Sequence, residues 1–188
     1  MSQFENLWRE NYGAIPPLGY RLRESFPNRW IRFHSLPNSK RYADTHEERT
    51  IILNRANELA CEILNIDEPF WLAASRMDEN PEMVNYGFPP FTVNSRQLPK
   101  VYGWMDPEDQ ISFSTYSKQT SWQIGEFDDV FSKIAEEEDY GVIFATLDLS
   151  SIFIPYDGGF DIIISNPKRV AELNKKYSNY LSTREDGL

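Results

Sequence analysis

Residues 152–164 read Ile152-Phe153-Ile154-Pro155-Tyr156-Asp157-Gly158-Gly159-Phe160-Asp161-Ile162-Ile163-Ile164. Two apolar runs joined by Asp-Gly-Gly are the strongest short-range hairpin signal in the chain. Just beyond them, Asn166-Pro167 opens a last helix, with Asn as its N-cap and Pro in the first helical position. Val170, Leu173, Tyr177 and Leu181 give that helix its buried stripe. Upstream, Gly141–Leu147 reads as another strand. Before it the spacing predicts a helix over 126–137, with Phe127, Val130, Phe131 and Ile134 inward and its acids outward.

Working further toward the N-terminus, residues 100–105, 110–116 and 120–124 alternate and are rich in aromatics, as in a meander of antiparallel strands. Residues 76–99 carry Pro81, Pro89, Pro90 and Pro99 and read as a long irregular excursion, a candidate binding loop. Residues 69–75 read as a buried strand. Thr45-His46-Glu47-Glu48 is a capping box, followed by Ile52, Ala56, Leu59, Ala60, Ile63 and Leu64 at the helical period, so a helix is expected over 45–64. Cys61 lies on or beside that stripe as a small core filler. Residues 29–34 alternate as a half-buried strand, Ile31 and Phe33 on one face, Trp30, Arg32 and His34 on the other. Ser2 to Glu5 form a second capping box before a short helix carrying Phe4, Leu7 and Trp8. The order implies one α+β domain over 1–188, a mainly antiparallel sheet with helices packed on one side.

Aromatic residues make up 14% of the 188, too many for a disordered acidic tail. No apolar run approaches the ~18 residues of a membrane helix, and the N-terminus lacks a secretory pattern, so a cytoplasmic location is expected. One cysteine forbids an internal disulfide, and Cys61, His34 and His46 are too few for a Cys/His zinc site, so no metal is expected. P-loop, Rossmann, Gly-x-Ser-x-Gly, His-Glu-x-x-His and EF-hand patterns are missing, and no cofactor is expected.

The formal net charge of −10 is unevenly spread. Residues 1–103 hold 13 acids and 12 bases, whereas residues 104–161 hold 13 acids against only Lys118 and Lys133. A concentrated negative field repels nucleic-acid backbone and membrane surfaces and draws in basic partners within about one Debye length, ~8–10 Å. Direct nucleic-acid and membrane binding are therefore not expected. Glu136–Asp139 fall at the end of the expected helix, where its dipole disfavours them, although such a run also suits the solvated end of a surface helix.

Three constellations are candidates for chemistry or binding. Asp157 and Asp161 beside the glycine turn suit a general acid/base pair or a cation site, or simple turn chemistry in which the glycines supply positive φ. Trp30, Arg32 and His34, with Arg21, Arg23, Lys40 and Arg41 nearby, suit an anion site, or a polar face whose arginines pair with the acids of the later half. Tyr102, Trp104, Tyr116 and Trp122, beside Asp106, Glu108, Asp109, Glu126, Asp128 and Asp129, suit a docking face for a basic protein.

The hairpin Pro155-Tyr156-Asp157-Gly158-Gly159-Phe160-Asp161, followed by Lys176-Tyr177 and Leu181-Ser182, resembles an uncharacterised bacterial protein family. The resemblance covers about the last 40 residues. It implies a bacterial source and brings no activity or catalytic residue. From size, charge and aromatics, the expected function is a non-enzymatic acidic binding protein, most concretely an immunity protein that neutralises a basic, nuclease-type toxin domain. Its expected partner face is Trp104, Asp106, Glu108, Asp109, Trp122, Glu126, Asp128, Asp129, Tyr156, Asp157 and Asp161. The alternative is a small cofactor-independent enzyme using the carboxylates of the hairpin.

Overall fold

The structure, a computed structural model, describes residues 2–78, 100–106 and 110–182. In chain order its elements are α1 (Gln3–Tyr12), α2 (Gly19–Ser25), β1 (Trp30–His34), α3 (His46–Leu64), β2 (Pro69–Met77), β3 (Lys100–Met105), β4 (Ser112–Ser121), α4 (Asp128–Ala135), β5 (Val142–Thr146), β6 (Ser151–Tyr156), β7 (Gly159–Ile164) and α5 (Pro167–Lys176). Short 3-10 turns occupy Pro27–Arg29, Pro37–Ser39 and Ser178–Tyr180.

The helix starts follow from their caps. Ser2 Oγ accepts from the Glu5 amide at 3.1 Å, Thr45 Oγ1 from the Glu48 amide at 3.2 Å, and Asn166 Oδ1 from the Lys168 amide at 3.1 Å. Glu48 returns its carboxylate to the Asp44 amide at 2.7 Å, one residue earlier than a simple capping box would have it.

The strands form one seven-stranded sheet in the order β1-β7-β6-β5-β2-β4-β3, with every neighbouring pair antiparallel. Side-chain alternation then sorts the core into two layers. Phe70, Leu72 and Ala74 of β2, Val142 and Phe144 of β5, Phe153 of β6, and Phe160, Ile162 and Ile164 of β7 meet the apolar stripes of α3, α4 and α5. Trp71, Ala73, Ile143, Ala145, Ile152, Ile154 and Ile163 point the other way. That face is covered as well, by Phe4, Trp8 and Tyr12 of α1 and Leu22 of α2. Phe4 and Trp8 are wholly buried, and each stabilises the cover by roughly 1.5–3 kcal/mol. The α+β class thus holds, with the sheet sandwiched between two helical layers. No helix among the described residues is long and apolar enough to cross a membrane.

Three local expectations change. Residues 110–116 and 120–124 were expected as separate strands, but 112–121 are one strand. β4 pairs with β2 from Met77↔Phe113 to Pro69↔Ser121, and this backbone ladder carries the polar Ser117-Lys118-Gln119-Thr120 run through without a turn. α4 is shorter than expected, so Glu136–Glu138 lie beyond it, and Glu137 takes a left-handed backbone (φ 59°). Arg76 and Met77 belong to β2, and residues 79–99 of the expected binding loop lie outside the described residues.

The hairpin is present, with β6 and β7 paired from Tyr156↔Gly159 to Ser151↔Ile164. Its glycines have a different reason from the expected one, for neither Gly158 nor Gly159 is left-handed. A Cβ on Gly159 would collide with the Phe33 carbonyl oxygen, because β1 closes on β7 at His34↔Gly159. Gly159→Ala is therefore expected to destabilise the fold by about 1–3 kcal/mol, as overpacking does. Urea unfolding checks this; a midpoint equal to the wild type would show that β1 is not packed against this position.

Candidate functional site

Among the acids of 104–161, Asp106, Glu136, Glu137, Asp139, Asp157 and Asp161 are held by arginines from the first hundred residues, in two groups that burial separates. In the β1–β7 register Arg32 faces Asp161, and its Nε and Nη2 donate to the two carboxylate oxygens at 2.7 and 2.8 Å. The Trp30 indole N–H donates to the same carboxylate at 2.9 Å, and the Arg32 guanidinium stacks 4.2 Å from the Tyr156 ring centre. Burial lowers the affinity of Arg32 for its proton, but the Asp161 contact outweighs it and raises the pKa. Burial also pushes the Tyr156 phenol well above its ordinary value. Asp106 pairs with Arg21 at 2.7 Å, and Asp139 with Arg76 at 2.9 Å, where both side chains are at most 3% exposed. Removing one member of such a buried pair typically costs ~3–5 kcal/mol, so these acids are committed to the fold.

The exposed group behaves differently. Arg49 reaches Glu136 at 3.1 Å, and Arg41 reaches Glu137 at 3.7 Å and also clasps Asp157. The Tyr42 hydroxyl donates to Glu137 at 2.9 Å, which raises the phenol pKa, and lies 3.3 Å from Asp157. Exposed pairs of this kind contribute ~0–1 kcal/mol.

The residues expected to form one docking face are dispersed. Trp122 is wholly buried, packed on Phe127 and Phe70, with its indole N–H directed at Cys61 Sγ at 3.1 Å. Trp104 is half-buried against Phe113, with the Arg21 guanidinium 5.6 Å from its ring centre. Asp106 and Asp161 are buried, and Tyr156 is half-buried beneath Arg32. Glu108 and Asp109 lie outside the described residues. Glu126, Asp128 and Asp129 do come together, at the start of α4. Asp157 and Asp161 share no hydrogen-bond partner, the first being held by Arg41 and Tyr42 and the second by Arg32 and Trp30, so the hairpin carboxylates do not act on one point.

The structure brings together a different set. Asn57 on α3 donates to Asp128 at 2.7 Å and accepts from the Gly125 amide at 2.8 Å, which pins the start of α4 to the middle of α3. Arg49, two turns nearer the start of α3, meets Glu136 at the other end, so α4 runs antiparallel to α3. Between them lies a cleft of about 320 Å³ with an apolar floor of Ala43, Ile52, Leu53 and Ala135. Its rim is Tyr42, Arg49, Ser132 and Glu136. Asp129 and Glu136 share one face of α4 with Ser132, by their three- and four-residue spacing. Among the described residues Glu126, Asp129 and Glu138 are exposed and make no ion pair. Tyr42 and Arg49 carried no signal in the sequence; the only hint was the acid run at the unfavourable end of a helix. No group of three or more His, Cys, Asp or Glu among the described residues is arranged for a metal ion.

The profile of a family described as a domain of unknown function (DUF3885) matches residues 18–185. The chain belongs to that family. Comparison with curated proteins and with solved structures gives no match. The DUF3885 region takes in the whole sheet and α2 to α5, so the α3–α4 cleft lies inside it, while α1 precedes it.

One more group of the DUF3885 region is set by burial. His34, expected on the polar face of its strand, is 8% exposed, and its Nε2 has no hydrogen-bond partner among the described residues. Burial, then Arg32 and Arg55, hold its pKa below the ordinary value of 6.5. The unfolded chain therefore takes up this proton first, and stability falls as pH drops below about 6.5. Glu48, Glu62 and Asp148, whose pKa values are lowered, add their own loss only near and below the ordinary carboxylate range of about 4–4.5. Urea unfolding between pH 7 and 5 should show stability falling by at most about 1.4 kcal/mol per pH unit, with a shallower fall in His34→Gln. Identical slopes in the two proteins would contradict a buried neutral His34.

Proposed function

We propose that this chain is a non-enzymatic binding protein for a basic protein partner, and that its partner face is the α3–α4 cleft with the acids around it. The observation that carries this reading is the separation of the acids by burial. Those that pair deep in the fold are unavailable, whereas Glu136 stands exposed on the rim of an apolar floor, with Asp129 exposed on α4 and Glu138 exposed just beyond it. An apolar patch rimmed by carboxylates suits a partner that brings both apolar anchors and cations. The field of the surplus acids speeds encounter with a positive surface and disfavours nucleic acid itself.

The concrete form we propose is an immunity protein that covers the basic cleft of a nuclease-type toxin domain in a bacterial cytoplasm. Small size, the acidic surface and the sequence resemblance to a bacterial family support it. The partner-binding residues are then Tyr42, Asp129, Ser132 and Glu136 with the floor beneath them, in place of the wider set expected from composition.

Affinity capture from cells of the source organism, with wild type and the triple variant Glu126→Lys/Asp129→Lys/Glu136→Lys as baits, tests the reading. Wild type is expected to retain a protein with a pI above about 9 that the triple variant loses. The purified partner should form a stoichiometric complex and lose its own activity on binding. Retention of the same proteins by both baits, or a stoichiometric partner that is acidic, would overturn it.

A further inference from the structure

We infer that Arg41 and Arg49 are built-in competitors for the partner's cations, so that docking at the α3–α4 cleft is an exchange of one set of guanidinium or ammonium groups for another. The inference rests on the reading that the cleft takes a basic protein, and it goes further by stating how the acids there are occupied before the partner arrives.

The geometry is specific. Glu136 lines the cleft and is held by Arg49, which lines the opposite wall. Glu137 and Asp157 are held by Arg41, and Tyr42 between them forms part of the rim. The side chains of Arg41, Arg49, Glu136 and Glu137 are 47–59% exposed and Tyr42 is 44% exposed, so water already competes for their contacts with one another. An incoming lysine or arginine therefore meets carboxylates whose present partners are released at little expense. The acids of the three buried pairs cannot be exchanged in this way, because the Asp106, Asp139 and Asp161 carboxylates are themselves at most 7% exposed.

The arginines also sit where exchange moves something. Arg41 and Tyr42 follow Asn38 and Ser39, two consecutive left-handed residues that are not glycine (φ 58° and 55°). Ala43, next in the chain, forms part of the cleft floor and packs on the core. When cations of the partner take Glu137 and Asp157, Arg41 and Tyr42 lose the carboxylates they hold at the rim, while Lys40 and the Asp44 amide stay on Glu48, so the side chains of this wall adjust to the apolar side of the incoming chain with the backbone still anchored. The occupant is a basic segment of a protein partner with one apolar face, since cations alone would leave the floor uncovered.

The exchange makes an unusual prediction, that deleting a residue from the rim strengthens binding. The probe is an amphipathic helical peptide of leucine and lysine, with oligolysine of the same charge as its companion, measured by fluorescence anisotropy at low salt. Arg49→Ala and Arg41→Ala are expected to bind the peptide about two- to fivefold more tightly than wild type. Glu136→Lys should weaken it at least about tenfold. Arg169→Ala and Glu172→Lys make the same charge changes on another exposed pair, near Glu62 and roughly 20 Å along α3 from Arg49, and should leave affinity unchanged. Wild type should prefer the peptide to oligolysine.

The outcomes separate the two levels of the proposal. Weaker or equal binding by Arg49→Ala, together with loss in Glu136→Lys, overturns the exchange and leaves the cleft as the docking site. Equal losses in Glu136→Lys and Glu172→Lys, equal affinity for oligolysine, or no binding of the peptide at all, overturns both. Thermal melts of each variant confirm that a change in affinity is read from folded protein, since all these positions are exposed.

Discussion

The pairing of arginines from the first hundred residues with acids from the later half is the interaction on which the rest of this structure depends. The sequence is strongly polarised, with acids crowded into residues 104–161 and arginines placed before them. In the folded chain Arg32 and Arg76 are carried inward against Asp161 and Asp139, and the partly exposed Arg21 reaches the buried Asp106. Each pair also ties distant elements together: Arg32 and Asp161 lock the edge strand β1 to β7, and Arg76 and Asp139 fasten the end of the α4 region to β2. A charge buried alone would be far costlier than any of the apolar contacts beside it. These pairs therefore fix which parts of the acidic stretch remain for anything else.

What remains is small and local. Asn57 holds α4 against α3 at one end, and at the other the chain leaves the helix through Glu136, Glu137 and Glu138, with Glu137 left-handed. Three carboxylates at a helix C-terminus oppose the helix dipole. Arg49, Arg41 and Tyr42 offset part of that repulsion, but only through exposed contacts. The cleft, its acidic rim and its weakly held arginines are thus consequences of one packing arrangement.

Much of the fold was legible because its signals are local. Thr45 with Glu48, Asn166 with Pro167, and the hairpin around Gly158 each declare themselves within a few residues, and the apolar spacing of α3 and α5 follows from them. β4 was not legible as one strand, because Ser117 to Thr120 are polar and their strand conformation comes from the ladder with Phe70 to Ala73 of β2, 44 to 50 residues earlier in the chain. The candidate face failed for the same kind of reason. Trp122 has the composition of an interface residue, but only the packing of Phe70, Phe127 and Phe131 around it makes it core. Alternation put Trp30, Arg32 and His34 on one face correctly, yet it carries no information on whether that face meets water or the packed Tyr156 and Asp161. Charge density along a chain is likewise silent on which acids fold against arginines.

Double-mutant cycles on Arg32–Asp161 and Arg49–Glu136, read by urea unfolding, test the account at its root. The buried pair should couple by about 2 kcal/mol or more and keep that coupling in high salt, while the exposed pair should couple by less than about 1 kcal/mol and lose it. Equal coupling energies, or a strong salt-resistant bond between Arg49 and Glu136, would mean that the acids do not divide by burial, and that the rim of the cleft is as closed to a partner as the interior.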